Sequence, residues 1–197
     1  MATTARSYRL GFTLIELMVT IAVLAILVTL AMPSFSDFFD RYRLRGAVDD
    51  VISVISNARA ESVKTGLDVR VDFAGTTTDW CVAANPAVVP TAGEPIVEPP
   101  DCNCSTGTCS AMPGGQVLAV PVNEHGKVSA SGPTVMVAFV FDSKLGMITP
   151  LGTASATFRS PTSKYAMQVN VNAMGQASVC RPSTPPEPVI AGVPTCP

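Results

Sequence analysis

The chain has 197 residues, of which 47% are hydrophobic and 14% charged, and its formal net charge is −2. This length suits one domain with a sizeable core. Seventeen prolines, fourteen glycines and a single histidine argue against a multi-span membrane protein, a coiled-coil array and histidine-based catalysis. The near-neutral charge, with no long basic run, gives no compositional sign of sequence-independent nucleic-acid binding.

Residues 12–32 form an apolar block, FTLIELMVTIAVLAILVTLAM, with one charged member, Glu16. As a helix the block would be about 31 Å long, which is enough to cross a bilayer. Arg6 and Arg9 precede it, so the positive-inside rule predicts a cytoplasmic amino terminus and an extracytoplasmic remainder. The alternative is a cleaved secretory signal ending at Ala31, but the block exceeds the usual h-region and contains an acid.

Glu16 is the most informative residue of this block. A carboxylate in hydrocarbon costs on the order of 3 kcal/mol, so it is expected to have a partner and a function; the alternative is an acid that reaches back to the head groups. The hexapeptide GFTLIE at residues 11–16, with basic residues before it and an apolar run after it, resembles the type III signal of type IV pilins and type II secretion pseudopilins.

The resemblance implies processing. A prepilin peptidase would cut between Gly11 and Phe12, discard the leader of residues 1–11 and leave Phe12 as a methylated amino terminus. Gly11 would let the peptidase approach the backbone closely. Glu16 would neutralise the new ammonium group of another subunit as that subunit leaves the bilayer. Because mispairing a buried charge is expensive, Glu16 would set the register of assembly more than add stability.

The helix is expected to continue outside the membrane through residues 33–66. Pro33 removes one backbone donor and should kink the helix. Beyond it, apolar residues recur at helical spacing, which predicts an amphipathic helix to about Thr65 that Gly66 ends.

Four aromatic residues and three arginines follow the expected membrane edge. The aromatics are expected to anchor at the interface or to pack between subunits, and the arginines to form a solvated or interface face rather than a nucleic-acid patch. These residues are Phe35, Phe38, Phe39 and Tyr42, and Arg41, Arg43 and Arg45.

After the helix the apolar period changes to two, with an alternating strand from Leu67 to Phe73. Trp80 is expected in the core. The predicted fold is α+β and pilin-like: a long amino-terminal helix, transmembrane in its first half, packed on an antiparallel β-rich domain of residues 67–180. Further strands are predicted at 79–84, 116–122, 134–141, 146–148, 154–158, 166–171 and 176–180.

Two segments are poor in core-forming patterns and are expected on the surface. They are a Pro/Gly/Cys-rich insertion at 84–115 and a proline-rich carboxyl-terminal tail at 181–197. All six cysteines lie beyond position 80, and their even number suggests disulfides and an oxidising compartment.

Cys180 and Cys196 bracket the tail, and a bridge between them is predicted, worth roughly 3 kcal/mol by loop entropy. The other two bridges would be shared among the remaining cysteines, Cys81, Cys102, Cys104 and Cys109. Cys102 and Cys104 are too close in sequence to pair. The alternative, a metal held by Cys102, Cys104 and Cys109, lacks the usual two-residue spacing and a nearby histidine.

Several short segments resemble the GspH/FimT/FimU group. They are residues 57–62 at the helix end, a second strand containing tryptophan, residues 141–146, and a hairpin at 172–176 before a cysteine. The resemblance implies a structural minor pilin that inserts as a single pass in the bacterial inner membrane, with a periplasmic globular domain, and helps initiate or cap a type IV pilus. The alternative is a GspH-type pseudopilin of a type II secretion system.

The implied partners are a prepilin peptidase, other major and minor pilins or pseudopilins, and the inner-membrane assembly platform. No enzymatic activity, cofactor or metal is expected: the nucleophile-elbow, phosphate-loop and zinc-protease motifs are missing, and His125 lies in a polar turn where it is expected to be solvated.

A second alternative is a FimT-type DNA-binding pilin for DNA uptake, whose contacts would be Arg159, Lys164 and Arg181. The segment after Gly46 has 8 basic and 12 acidic residues, which argues against a nucleic-acid partner.

Overall fold

The computed structural model describes residues 11–87, 118–121, 125–131, 138–183 and 188–196. Within these ranges the chain forms one long helix followed by antiparallel strands, which is the predicted α+β fold. The elements are α1 (Leu14–Thr65), β1 (Val69–Gly75), β2 (Trp80–Pro86), β3 (Leu118–Pro121), β4 (Ser129–Ser131), β5 (Phe139–Phe141), β6 (Ile148–Thr149), β7 (Ala154–Arg159), β8 (Ala166–Val171) and β9 (Ala177–Cys180).

The chain divides into two compact units, residues 1–39 and 40–197. In the first unit, the segment Leu14–Ala31 is long and apolar enough to cross a membrane by length and composition, and none of its residues is buried. Two hydroxyls in this segment are satisfied within the helix, because Thr20 donates to the Leu17 carbonyl and Thr29 to the Ile26 carbonyl, each at 2.8 Å. The chain is helical through position 33, and a kink at Pro33 stays a prediction.

In the second unit, one stripe of α1 supplies the core. Its members recur three or four residues apart, as a helix with one buried face requires. They are Leu44, Val48, Val51, Ile55 and Ala58, all with no exposed surface. The helix ends at Thr65 as predicted, and Gly66 follows in the left-handed conformation (φ 69°) while its N–H donates to the Ser62 carbonyl at 3.0 Å.

The strands of the described ranges form two antiparallel sheets. One has five strands in the order β3-β2-β1-β5-β6, and the other has four in the order β4-β7-β8-β9. Alternate residues of both sheets join the helix stripe in one hydrophobic core, among them Val71, Val82, Phe141, Phe158 and Val169. Trp80 belongs to this core, with 3% of its surface exposed, as predicted.

Several predicted strand limits were wrong for local reasons. Leu67 precedes β1 and is exposed, because the left-handed turn at Gly66 delays the strand until Val69. Gly146 does not begin β6, since it also adopts a positive φ of 62° and forms the preceding turn. β5 is described only from Phe139, and residues 132–137 of its predicted span lie outside the described residues.

β4 was not predicted, and the end of β2 was predicted two residues too early. β4 contains only the residues Ser-Ala-Ser, which show no apolar alternation, and it forms because it pairs with β7, Ala130 opposite Phe158. β2 runs on to Pro86, so the first three residues assigned to the insertion belong to a strand, and its Ala84 and Asn85 are buried. The rest of that insertion, from residue 88, lies outside the described residues.

The prediction that the carboxyl-terminal tail is only a surface segment was wrong. Ile190 is 1% exposed and belongs to the hydrophobic core, and Val193 packs against that core. The backbone of Arg181 bonds the tail twice, donating to the Pro194 carbonyl at 2.7 Å and accepting from the Cys196 N–H at 2.9 Å. A short apolar run among prolines, residues 189–191, carries no periodic signal, so the sequence pattern could not identify Ile190 as a core residue.

Candidate functional site

The helix that carries the predicted signal begins with a capped first turn. Residues 11–13 precede the helix, and Thr13 Oγ1 accepts a hydrogen bond from the Glu16 N–H at 3.2 Å. The Thr13 carbonyl accepts from the Leu17 N–H, also at 3.2 Å. Thr13 is therefore the N-cap, and Glu16 stands at the third helical position, the spacing of a capping box. Thr13 is not among the sequence-predicted site residues, although a threonine followed three residues later by a glutamate is a recognisable signal.

The predicted cleavage bond is open to an approaching enzyme. Gly11 and Phe12 lie outside the helix, and Phe12 has 85% of its surface exposed. A Cβ added at Gly11 would meet no atom within 4 Å. Nothing in the described chain therefore requires glycine at position 11, and any such requirement comes from the enzyme that binds the segment.

Glu16 is exposed in the first turn of α1. A negative charge at this end of a helix is favoured by the macrodipole. Within the described ranges its side chain forms no ion pair, so the carboxylate is available to a group from another molecule. The apolar residues that follow it, from Leu17 to Leu30, are exposed on every side of the helix. Such a helix is suited to lipid or to other apolar helices, and not to water.

The three residues predicted to contact DNA lie at one end of the four-stranded sheet. Arg159 ends β7 opposite Ala166, Lys164 lies in the turn from β7 to β8, and Arg181 directly follows β9. The structure thus brings them together, although only Lys164 is exposed and the two arginines are half-buried.

Arg43 and Arg45 are exposed, as expected for a solvated or interface face, but two of the three helix arginines also contact their own domain. Arg41 lies over the ring of Tyr165 at 5.6 Å, and Arg45 donates to the Ala191 carbonyl. Arg43 is exposed.

The cysteines behave as predicted where the structure describes them. Cys180 and Cys196 form a disulfide with a Cα–Cα distance of 4.9 Å. Cys81 is also disulfide-bonded, and its partner lies outside the described residues. Cys102, Cys104 and Cys109 lie outside these residues as well, so the remaining pairing stays a prediction.

The prediction of a solvated His125 was wrong. The imidazole is 10% exposed, its ring is parallel to that of Trp80 at 6.4 Å, and its Nε2 lies 3.1 Å from Oδ2 of Asp50 without hydrogen-bond alignment. The sequence predicted a polar turn correctly, but it could not show that this turn folds back onto α1. His125 is a packing residue of the domain.

Two protein families match this chain. Residues 6–32 match the prokaryotic N-terminal methylation motif, and residues 47–175 match the type II transport protein GspH. The first range contains the hexapeptide at 11–16, and the second covers the amphipathic part of α1 and most of both sheets.

Individual proteins are similar to this chain either over a short segment or at low sequence identity. Two fimbrial proteins of Pseudomonas aeruginosa are each 36% identical over 59 residues, which is 30% of this chain and 38% of each relative's length. Two crystal structures of the type IV minor pilin FimU of Pseudomonas aeruginosa have TM-scores of 0.48 and 0.45. Their identities are 12% and 11%, and the alignments cover 72% and 69% of this chain and 91% of FimU.

Proposed function

The chain belongs to the GspH family of type II transport proteins, and from this premise we propose that it is a structural minor pilin that helps to initiate or cap a type IV pilus. It inserts in the inner membrane with its amino terminus in the cytoplasm and its globular domain in the periplasm. The observation that carries the proposal is the exposed Gly11–Phe12 bond, followed by Glu16 at the start of an exposed apolar helix, in the same chain as a GspH domain.

Processing follows from the local geometry. Residues 11–13 precede α1, so a prepilin peptidase can bind this segment without unwinding the helix. Cleavage leaves Phe12 one residue before the N-cap Thr13, and the hydrogen bond from Glu16 to Thr13 holds the first turn in place. The mature chain therefore begins with an ammonium group beside a helix that is already formed.

Assembly depends on two opposite charges, the ammonium group of Phe12 and the carboxylate of Glu16. An ammonium group and a carboxylate at similar depth in hydrocarbon each lose hydration, and each is stabilised by the other. Glu16 of one subunit meets the Phe12 amine of another when their helices are aligned. The apolar surface of residues 14–31 then leaves the lipid and packs against neighbouring helices. The free-energy change of this transfer is small because lipid tails and neighbouring helices are both apolar.

A second candidate is a GspH-type pseudopilin of a type II secretion system. The description of the matched family as a type II transport protein favours it, while the similarity to two fimbrial proteins favours the pilus. Both candidates use the same leader, helix and domain, so the distinction lies in the filament that contains the subunit.

The experiment compares two substitutions in the native host. Gly11→Val should leave the leader attached, retain the chain in the membrane, remove it from sheared surface filaments and reduce piliation. Gly152→Val is the matched control, because a Cβ there also meets nothing within 4 Å and no cleavage is expected. Normal piliation with impaired protein secretion in the Gly11 variant would replace the pilus assignment with the pseudopilin. Normal maturation of that variant would overturn both.

A further inference from the structure

The two halves of the Cys180–Cys196 disulfide differ in their exposure. Cys180 ends β9 and is 5% exposed, whereas Cys196, in the carboxyl-terminal tail, is half-buried. A disulfide is cleaved when a thiolate attacks one of its sulfurs and the other sulfur leaves as a thiolate. Because the attacking group must reach its target, these exposures favour attack on Cys196 and departure of Cys180.

The sulfur of Cys180 accepts a hydrogen bond. Asn170 Nδ2 donates to Cys180 Sγ at 3.0 Å. Gln168 Nε2 in turn donates to Asn170 Oδ1 at 2.6 Å. Gln168 and Asn170 are two residues apart in β8, so their side chains lie on the same face of the sheet. The bond from Gln168 therefore orients the Asn170 amide so that its NH₂ group, and not its oxygen, meets the sulfur.

This hydrogen bond stabilises a thiolate more than it stabilises a disulfide. A neutral sulfur is a weak acceptor, whereas hydrogen bonds to an ionised group are roughly twice as strong as neutral ones. Water has little access to Cys180, so the Asn170 amide supplies part of the stabilisation that hydration would give to an exposed thiolate. A more stable thiolate leaves faster in exchange. Exposure and hydrogen bonding thus both indicate that Cys180 is the sulfur that leaves.

The disulfide also controls how the tail is held against the core. Ile190 lies in the loop that the bridge closes and is 1% exposed, and Val193 packs against the same core. Among the described tail residues 188–196, only Ile190 is buried. One buried side chain offsets only part of the conformational entropy that this segment loses when it is ordered. Cleavage of the disulfide should therefore shift the tail towards release.

We propose that the Cys180–Cys196 disulfide is a redox switch for the carboxyl-terminal tail, and that its partner is a thiol–disulfide oxidoreductase with a reactive Cys-x-x-Cys pair. The inference goes beyond the proposed function and does not depend on it. In the oxidised chain the tail is docked with Ile190 in the core. In the reduced chain the tail is released, and Ile190 becomes accessible to solvent.

The exchange has two steps. A thiolate of the partner forms a bond to Cys196 Sγ while the bond between Cys196 and Cys180 breaks, and the Cys180 thiolate leaves beside Asn170 and takes a proton from water. The second thiol of the partner then loses its proton and attacks the partner's own sulfur in the mixed disulfide, which releases Cys196 to be protonated. Two electrons pass to the chain, so the partner's dithiol becomes a disulfide and both cysteines become thiols.

The first test traps the mixed disulfide on the oxidised full chain in detergent micelles. The probe is thioredoxin with its second active-site cysteine replaced by serine, which can form the first bond but cannot complete the exchange. After quenching in acid, tandem mass spectrometry of the peptide that carries both cysteines identifies the attached one. We expect the probe on Cys196 at least about tenfold more often than on Cys180, because only Cys196 is open to attack.

The second test measures the rate at which intact thioredoxin reduces this disulfide. Asn170→Asp keeps the shape of the side chain and the acceptor for Gln168 but replaces the donor with a carboxylate. We expect reduction to be about tenfold slower, because the leaving thiolate loses a hydrogen bond and faces a negative charge. Asn172→Asp is the matched control, since it adds the same charge at an exposed position directly after β8. Its reduction rate should equal that of the parent.

Urea unfolding of the oxidised variants separates this effect from damage to the fold. A destabilised domain would expose the disulfide and speed its reduction, so slower reduction cannot result from misfolding. An equal rate for Asn170→Asp and Asn172→Asp would overturn the role of Asn170. Attachment of the probe to Cys180 as often as to Cys196 would overturn the direction of attack.

The third test follows release of the tail by limited proteolysis. Reduction by thioredoxin should speed cleavage within the tail at least about tenfold in the parent chain. In a chain with Cys180→Ser and Cys196→Ser, the tail is cut at the fast rate from the start, and thioredoxin should change nothing. This control excludes an effect of the other cysteines, because they are intact in both chains. Unchanged cleavage of the parent tail after complete reduction would overturn the switch.

Discussion

Trp80 and Val128 connect the two sheets of the domain through a hydrogen bond. The indole N–H of Trp80, at the start of β2 in the five-stranded sheet, donates to the Val128 carbonyl at 2.8 Å. Val128 directly precedes β4, the edge strand of the four-stranded sheet. The Trp80 ring also contacts Phe158 of that sheet edge to face, with centroids 5.0 Å apart. One side chain thus supplies both apolar contact and a polar link between the sheets.

Trp80→Phe should therefore destabilise the domain by about 2 kcal/mol. The smaller ring leaves a gap, and the buried Val128 carbonyl loses its donor, which alone costs about 1–3 kcal/mol. Urea unfolding followed by circular dichroism measures the change, since the substitution removes the fluorescent residue. A loss below about 0.5 kcal/mol would show that another donor satisfies this carbonyl.

Gly175→Ala should destabilise the domain by about 2 kcal/mol or more. Gly175 has a φ of 73°, and an added Cβ would lie 2.6 Å from Cε1 of Phe141 and 2.8 Å from the Gly146 carbonyl oxygen. Neither neighbour can yield easily, because Phe141 is fully buried and the Gly146 carbonyl accepts a 3.0 Å hydrogen bond from Arg59 Nε.

Gly152→Ala is the control for this strain, because a Cβ at position 152 meets nothing within 4 Å and needs no positive φ. Its unfolding free energy should stay within about 0.5 kcal/mol of the parent. If both alanine variants unfold at the same urea concentration as the parent, the close approach at Gly175 does not exist in solution.

Cys180→Ser combined with Cys196→Ser should release the carboxyl-terminal tail. The bridge closes a loop with a sequence separation of 16, and its loss is expected to cost about 3 kcal/mol. The core residue Ile190 lies inside that loop, so limited proteolysis should cut the tail of the variant before the rest of the domain. Equal proteolysis of parent and variant would mean that Ile190 and the backbone bonds of Arg181 hold the tail without the disulfide.

The elements that the sequence predicted well are those with a strong local pattern. The stripe from Val48 to Ala58, the end of α1 at Gly66 and the alternation of Val69 and Val71 were all readable because periodicity and turn chemistry agree with the fold. β8 was predicted with its observed limits for the same reason.

The features that escaped prediction depend on tertiary contacts. β4 exists because of its partner β7, and Ile190 is buried because a disulfide and two backbone bonds return the tail to the core. His125 is packed against Trp80 by a fold-back of its turn that no local pattern encodes.

At the candidate site, the chemistry is a prediction from the sequence, and the structure adds the geometry of the residues concerned. Gly11, Phe12 and Glu16 were predicted from one hexapeptide, and their exposure is consistent with processing and with pairing to another molecule. The N-cap at Thr13 could have been predicted from its spacing to Glu16. It was not predicted, because the same residues were interpreted as a processing signal.

Glu16→Ala should be cleaved and methylated normally but should enter filaments at least tenfold less often than the parent. The substitution leaves the Phe12 amine of a neighbouring subunit unpaired in an apolar environment, at a cost of about 3–5 kcal/mol. The measurement is the ratio of variant to parent in sheared filaments when both are expressed at equal membrane levels. Glu16→Asp keeps the charge and should be intermediate, whereas Glu16→Gln should resemble alanine. Incorporation of all three at the parent level would contradict charge pairing.

Processing and assembly both require that maturation removes residues 1–11 and exposes the amine of Phe12 near Glu16. Mass spectrometry of the chain extracted from host membranes tests it most directly. We expect a mature protein that begins at Phe12 and carries one methyl group on its amino terminus. A protein that still begins at Met1, or that begins at Met32 after a secretory cleavage, would contradict it.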